Sequence, residues 1–110
     1  GETAISSYPA LAPVTINVDP VPKTIESDSQ STINAQLFDD GGYGISEQTL
    51  QFTSSNSTAA RFPETNATTD GDGWAEQVLN ATGNATNEID VTITVNTGRY
   101  SGEGKVTISP

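Results

Sequence analysis

The sequence predicts an all-β sandwich of about seven strands behind an extended N-terminal arm. Three observations predict it. Short runs alternate apolar with polar residues, most cleanly in Ile89-Asp-Val-Thr-Ile-Thr-Val95. Pro and Asp-Gly or Thr-Gly pairs punctuate these runs. No long stretch repeats apolar residues at the spacing of a helical face.

Residues 1–13, Gly-Glu-Thr-Ala-Ile-Ser-Ser-Tyr-Pro-Ala-Leu-Ala-Pro, read as an extended arm or linker, because a proline excludes a central strand at its own position. Residues 14–110 form the folded domain. Thr15 to Val18 is the first strand, closed off by Pro20 and Pro22. Thr32 to Asp39 turns Ile33, Ala35 and Leu37 to one face and Asn34 and Gln36 to solvent. Thr49 to Thr53 points Leu50 and Phe52 inward. Ser54 to Thr69 is polar and irregular, with Ala59-Ala-Arg-Phe62 as a short strand ahead of Pro63. Trp74 to Leu79 is a strand of ambiguous facing: Ala75 and Leu79 share one face with Gln77, Trp74 and Val78 the other. After the strand at Ile89, Thr97-Gly98 turns the chain, and Lys105 to Ser109 closes the domain with Val106 and Ile108 inward.

Composition narrows the function. Apolar residues make up 33% of the 110 and aromatics 6%, so the core is thin, as suits two packed sheets that each give alternate residues to it. The formal net charge is -10, from 14 acidic and 4 basic residues. Nucleic acid and anionic membrane surfaces would be repelled. The acidic residues are scattered, as on a solubilising surface. There is no Cys, hence no disulfide and no thiol chemistry, and no Met, as expected of a mature chain after signal-peptide removal or of an excised piece with Gly1 left from a tag. No apolar stretch approaches the length of a membrane span.

Catalysis has little to draw on. Without His or Cys the commonest general base and the thiol nucleophile are missing. Asp39 with Asp40, or Asp70 with Asp72, are the carboxylate pairs open to glycoside chemistry, but both lie in turns, where Asp bonds to nearby backbone amides. The same four residues are weak calcium candidates, since Asp70-Gly-Asp-Gly73 has the alternating oxygens of a calcium loop without its later ligands. Otherwise no cofactor is expected. Four glycosylation sequons begin at Asn56, Asn66, Asn80 and Asn84, all in expected loops or at strand ends. In the arm, Ala4, Ile5, Tyr8 and Leu11 are apolar groups with which an extended peptide would dock on a sheet edge of a neighbouring subunit. A plain linker in a longer protein is the alternative.

Two passages carry a resemblance. Ser31-Thr-Ile-Asn-Ala-Gln-Leu-Phe-Asp39-Asp40-Gly41-Gly42 leads to Thr49-Leu-Gln-Phe-Thr53, and Thr68-Thr-Asp-Gly-Asp-Gly-Trp-Ala75 leads to Gln77-Val-Leu79. Each sets an acidic, Gly-rich turn between β-forming runs. This order resembles the bacterial immunoglobulin-like (Ig-like) repeats of the invasin and intimin type over roughly Val14 to Ser109. The resemblance implies an Ig-like sandwich with Greek-key connections, located outside the cell. The expected function is a non-catalytic structural subunit of a prokaryotic, by lean archaeal, cell-surface assembly such as a filament, sheath or surface layer. Its partner would be a second copy of itself, joined through edge strands and the arm, with sugar on the surface. The rival is a stalk repeat or adhesive module, with Tyr43, Trp74 and Tyr100 as a surface for glycans or a receptor. Exposure of these aromatics together would favour binding, and a buried Trp74 core packing.

Overall fold

Residues 14–82 and 86–110, which the computed structural model describes, form nine strands in two sheets and no helix. In chain order the strands are β1 (Val14–Val21), β2 (Thr24–Glu26), β3 (Gln30–Asp39), β4 (Thr49–Ser54), β5 (Ala60–Arg61), β6 (Asn66–Thr68), β7 (Trp74–Ala81), β8 (Ile89–Asn96) and β9 (Ser101–Ser109). One sheet runs β1-β3-β7-β5, the other β2-β9-β8-β4-β6. The all-β sandwich expected from the sequence is therefore the fold. The arm with Ala4, Ile5, Tyr8 and Leu11, and the sequon residue Asn84, lie outside the described residues.

The core follows from strand parity. Ile33, Ala35 and Leu37 of β3 face Leu50 and Phe52 of β4, Val91, Ile93 and Val95 of β8, and Val106 and Ile108 of β9, all buried. Phe52 meets Phe62 edge-on, with ring centroids 5.7 Å apart, an arrangement that suits the ring quadrupoles. The facing of β7 is settled: Ala75, Leu79 and Ala81 are buried, while Trp74 and Val78 lie on the outer face. Gln77 does share the inner side. Its amide reaches the rim of the sandwich, where Nε2 donates to the carbonyl of Asn66 at 2.6 Å and ties β7 to β6 of the other sheet.

Four differences from expectation bear on how the sheets are built. β1 does not close at Pro20 but runs through it to Val21, pairing Pro20 with Ile33. β1 is an edge strand, and the ladder phase turns position 20 away from β3, so the missing N–H costs no hydrogen bond. The chain then crosses to the second sheet, where β2 pairs in parallel with β9 and buries Ile25. The hydroxyl of buried Ser31 donates to the carbonyl of Pro22 at 2.7 Å, fixing the crossing. Asn66–Thr68, read as irregular, pairs with β4 at the rim. Finally, β9 begins at Ser101 rather than Lys105.

That last extension has a steric cause. Gly102 and Gly104 face the backbone of β1: a Cβ on Gly102 would stand 2.1 Å from the carbonyl oxygen of Ile16, and one on Gly104 3.0 Å from Cγ1 of Val18. Here the sheets approach backbone to backbone, and the glycines that look like strand breakers are what permits it. We expect Gly102→Ala to destabilise the domain by about 2–3 kcal/mol, because the obstacle is a carbonyl held in a ladder. Gly104→Ala should cost less, since a valine methyl can rotate away. Urea denaturation of the two variants checks the order.

Candidate functional site

At one end of the sandwich lie two turns with a common design. In Asp39-Asp-Gly-Gly-Tyr43, one carboxylate oxygen of Asp39 accepts from the N–H of Gly41 at 2.9 Å and of Tyr43 at 3.0 Å. In Asp70-Gly-Asp-Gly-Trp74, Asp70 accepts from Asp72 at 2.9 Å and Trp74 at 3.0 Å. The backbone bonds repeat as well: the fourth-position N–H donates to the Asp carbonyl, and the Asp N–H to the aromatic carbonyl. In each turn the fourth residue is a glycine at positive φ, 85° at Gly42 and 84° at Gly73, a conformation that disfavours a side chain. The shared pattern, Asp-x-x-Gly-aromatic, is visible in the sequence at 39–43 and 70–74, and reading the two passages only as acidic turns missed it.

The Asp70 turn is pressed against the start of the segment that follows the Asp39 turn. A Cβ on Gly73 would lie 2.2 Å from the carbonyl oxygen of Leu37, and one on Gly44 2.1 Å from that of Asp72. Leu37 donates its N–H to Gly73 and accepts from Ile45, so β3 holds both sides. Gln36 adds a side-chain bond from Nε2 to the Asp72 carbonyl at 3.2 Å. Buried Thr69 fastens the approach, because its Oγ1 accepts from Gln48 N–H at 2.9 Å while its backbone exchanges bonds with Glu47 and Gln48.

The sequence-derived candidates separate on this frame. Asp39 and Asp70 brace their own turns through backbone amides, which is turn chemistry. Asp40 and Asp72 are exposed on the same turns. Among the described residues no group of three or more His, Cys, Asp or Glu gathers in a way that would hold a metal ion. Asn56 lies exposed in the turn after β4, where its side-chain oxygen accepts from Ala59 N–H at 3.1 Å. Asn66 opens β6 and is exposed, whereas Asn80 lies half-buried in β7 with its side-chain oxygen buried and unpartnered. Tyr43 (74% exposed) and Trp74 (42%) stand on the two adjacent turns. Half-buried Tyr100 lines a separate hollow of about 250 Å³ with Val14, Leu37 and Ile45. The three expected aromatics are thus two exposed ones and one elsewhere.

Also unread in the sequence is an open groove of about 400 Å³ along the free side of β7, lined by Asn34, Ala67, Thr68, Asp70, Trp74, Ala75 and Glu76. It exists because β5, only two residues long, covers β7 no further than Ala81 and Asn80.

The two sheets and their strand order define an Ig-like β-sandwich. In particular, the chain is similar to the D0-D1 domains of intimin (TM-score 0.70, 14% identity, 90% of this chain and 50% of that one). It is similar also to the D00-D0 domains of intimin (TM-score 0.68, 17% identity, 96% and 52%) and to domains 4 and 5 of the S-layer protein SbsC (TM-score 0.63, 16% identity, 96% and 55%). The chain spans about half the length of each. At these identities the likeness is one of fold, and the resemblance drawn from the two acidic passages is borne out at that level. No protein-family model and no curated protein matches the chain.

The twin turns allow a matched test. Gly42→Ala meets nothing within 4 Å and should cost about 1 kcal/mol for its φ alone. Gly73→Ala meets backbone as well, and should cost about 3 kcal/mol or more. Equal losses in melting experiments would show that the turns do not pack as described. In the same assay Asp70→Ala should cost about 1–2 kcal/mol, by stranding two amides, and Asp72→Ala close to nothing.

Proposed function

We propose that this chain is an extracellular structural module of a prokaryotic cell-surface assembly, non-catalytic, joined to copies of itself and glycosylated. The observation that carries this reading is the path of the chain through the sandwich. It enters at Val14, beside the acidic turns, and β9 leaves past Ser109 at the opposite end, next to Glu26. A domain entered at one end and left at the other is suited to end-to-end arrays. Similarity in fold to domains of intimin and of an S-layer protein supports the same reading. The net charge of -10 suits a surface that must stay dispersed. Asn56, exposed in a turn, is the best placed of the described sequons. An archaeal source accords with the acidity, the absence of Cys and the sequons.

Negative-stain electron microscopy of the chain from its native source tests the proposal. Fibres, tubes or lattices are expected, together with glycan mass on the peptide containing Asn56. Monodisperse particles would overturn the self-assembling subunit.

A second reading, the stalk repeat or adhesive module, is favoured by one observation: Tyr43 and Trp74 are both exposed on adjoining turns. It expects binding on a glycan array that is lost in Trp74→Ala, and an array without any signal would count against it.

A further inference from the structure

We propose that the free edge of β7 receives residues 2–8 of a second copy of this chain as an added strand. This rests on the self-assembly reading above and names the surface that would carry it.

The acceptor is a sheet edge left open by the fold. Leu37 donates to the Gly73 carbonyl and Ala81 to that of Ser29, which fixes the phase of the β3–β7 ladder. By the alternation of antiparallel pairs, odd positions of β7 bond to β3 and even positions turn outward. Of the outward set, Trp74 is bonded within its turn and Asn80 pairs with Arg61 of β5. The N–H and C=O groups of Glu76 and Val78 remain, directed away from β3, and Glu76 lines the groove together with Trp74, Asp70 and Ala67. The other edges are guarded: β1 carries Pro20, β5 is followed by Pro63, and β2 and β6 are three residues each. Trp74 to Leu79 holds neither Pro nor Lys, and its one charged residue is Glu76.

The occupant follows from length and charge. Residues 1–13 precede Val14, and Glu2 to Tyr8 is free of proline and long enough to cover the open edge between Trp74 and Asn80. Of the net charge of -10, Glu2 supplies one unit, so residues 14–110 carry -9. Two such bodies repel, and the nearly neutral arm is the part of one that can approach the other closely. From Val14 to the free side of β7 is three strand spacings, roughly 14 Å. Residues 9–13 span at most roughly 17 Å, so the chain's own arm would reach that side only when nearly fully extended.

The protein has no Cys, so single cysteines report on neighbours cleanly. Full-length Ala4→Cys and Ile5→Cys chains, each mixed with Val78→Cys under mild oxidation, should give an inter-chain disulfide. The same chains mixed with Glu103→Cys on β9 should not. Sedimentation of the Val78→Pro variant should show assembly shifted to roughly tenfold higher concentration or more. Because the N–H at position 78 points outward, that variant is expected to fold, and its circular dichroism checks this. If Val78→Pro does not fold, the cross-links decide alone. Assembly of the unmodified chain without the cross-link to position 78 would overturn this edge while leaving self-assembly standing. A monomeric unmodified chain would overturn both, and an Ala4→Cys/Val78→Cys double variant that closes its disulfide only within one chain would overturn the second copy as occupant.

Discussion

Everything at the acidic end of the sandwich depends on backbone meeting backbone where no Cβ fits. Gly73 under the Leu37 carbonyl and Gly44 under the Asp72 carbonyl let the Asp70 turn lie directly on β3 and on the strand-like segment after the Asp39 turn. The Asp carboxylates hold each turn in shape from within. With the turns locked, the start of β7 is fixed against β3, and the phase of its ladder follows. That phase sends Ala75 and Leu79 into the core and leaves the backbone of Glu76 and Val78 outside. A contact between two turns therefore decides which backbone groups the open edge of β7 presents.

The same device recurs on the other flank. Gly102 and Gly104 bring β9 under β1, so the sandwich is closed there by main chain rather than side chains. A chain with 33% apolar residues has few large groups with which to fill space, and glycine contacts reduce the space to be filled.

Period-two alternation made β3, β4 and β8 legible, because their buried residues occupy every second position and the pattern needs no partner to be seen. Pro20 concealed the length of β1, since whether a proline is tolerated depends on where its nitrogen points, a property of the sheet and not of the residue. Ser101-Gly-Glu-Gly104 read as loop for a similar reason: its glycines answer to the backbone of Ile16, far away in sequence. Asn66–Thr68 and Thr24–Glu26 are too short to show a period. The acidic turns were legible as turns. Their twinning was written in the spacing of Asp, Gly and aromatic, whereas their contact was not, because it lies between two carbonyls and two missing side chains.

The pairing of β2 with β9 carries a mechanical consequence. β2 follows β1, through which the chain enters at the opposite end, and runs parallel to β9, through which it leaves, with Thr24, Ile25 and Glu26 beside Thr107, Ile108 and Ser109. Tension applied between the two ends of the domain falls first on the ladder of β1 with β3 and then on that of β2 with β9, whose strands it draws in opposite senses. The bonds joining them lie across the pull, so they share the load and yield together, whereas a hairpin pulled open at its ends loses its bonds one after another. Pulled at its two ends, the domain would resist stretching through these two ladders, the shorter of them built on its least conspicuous strand.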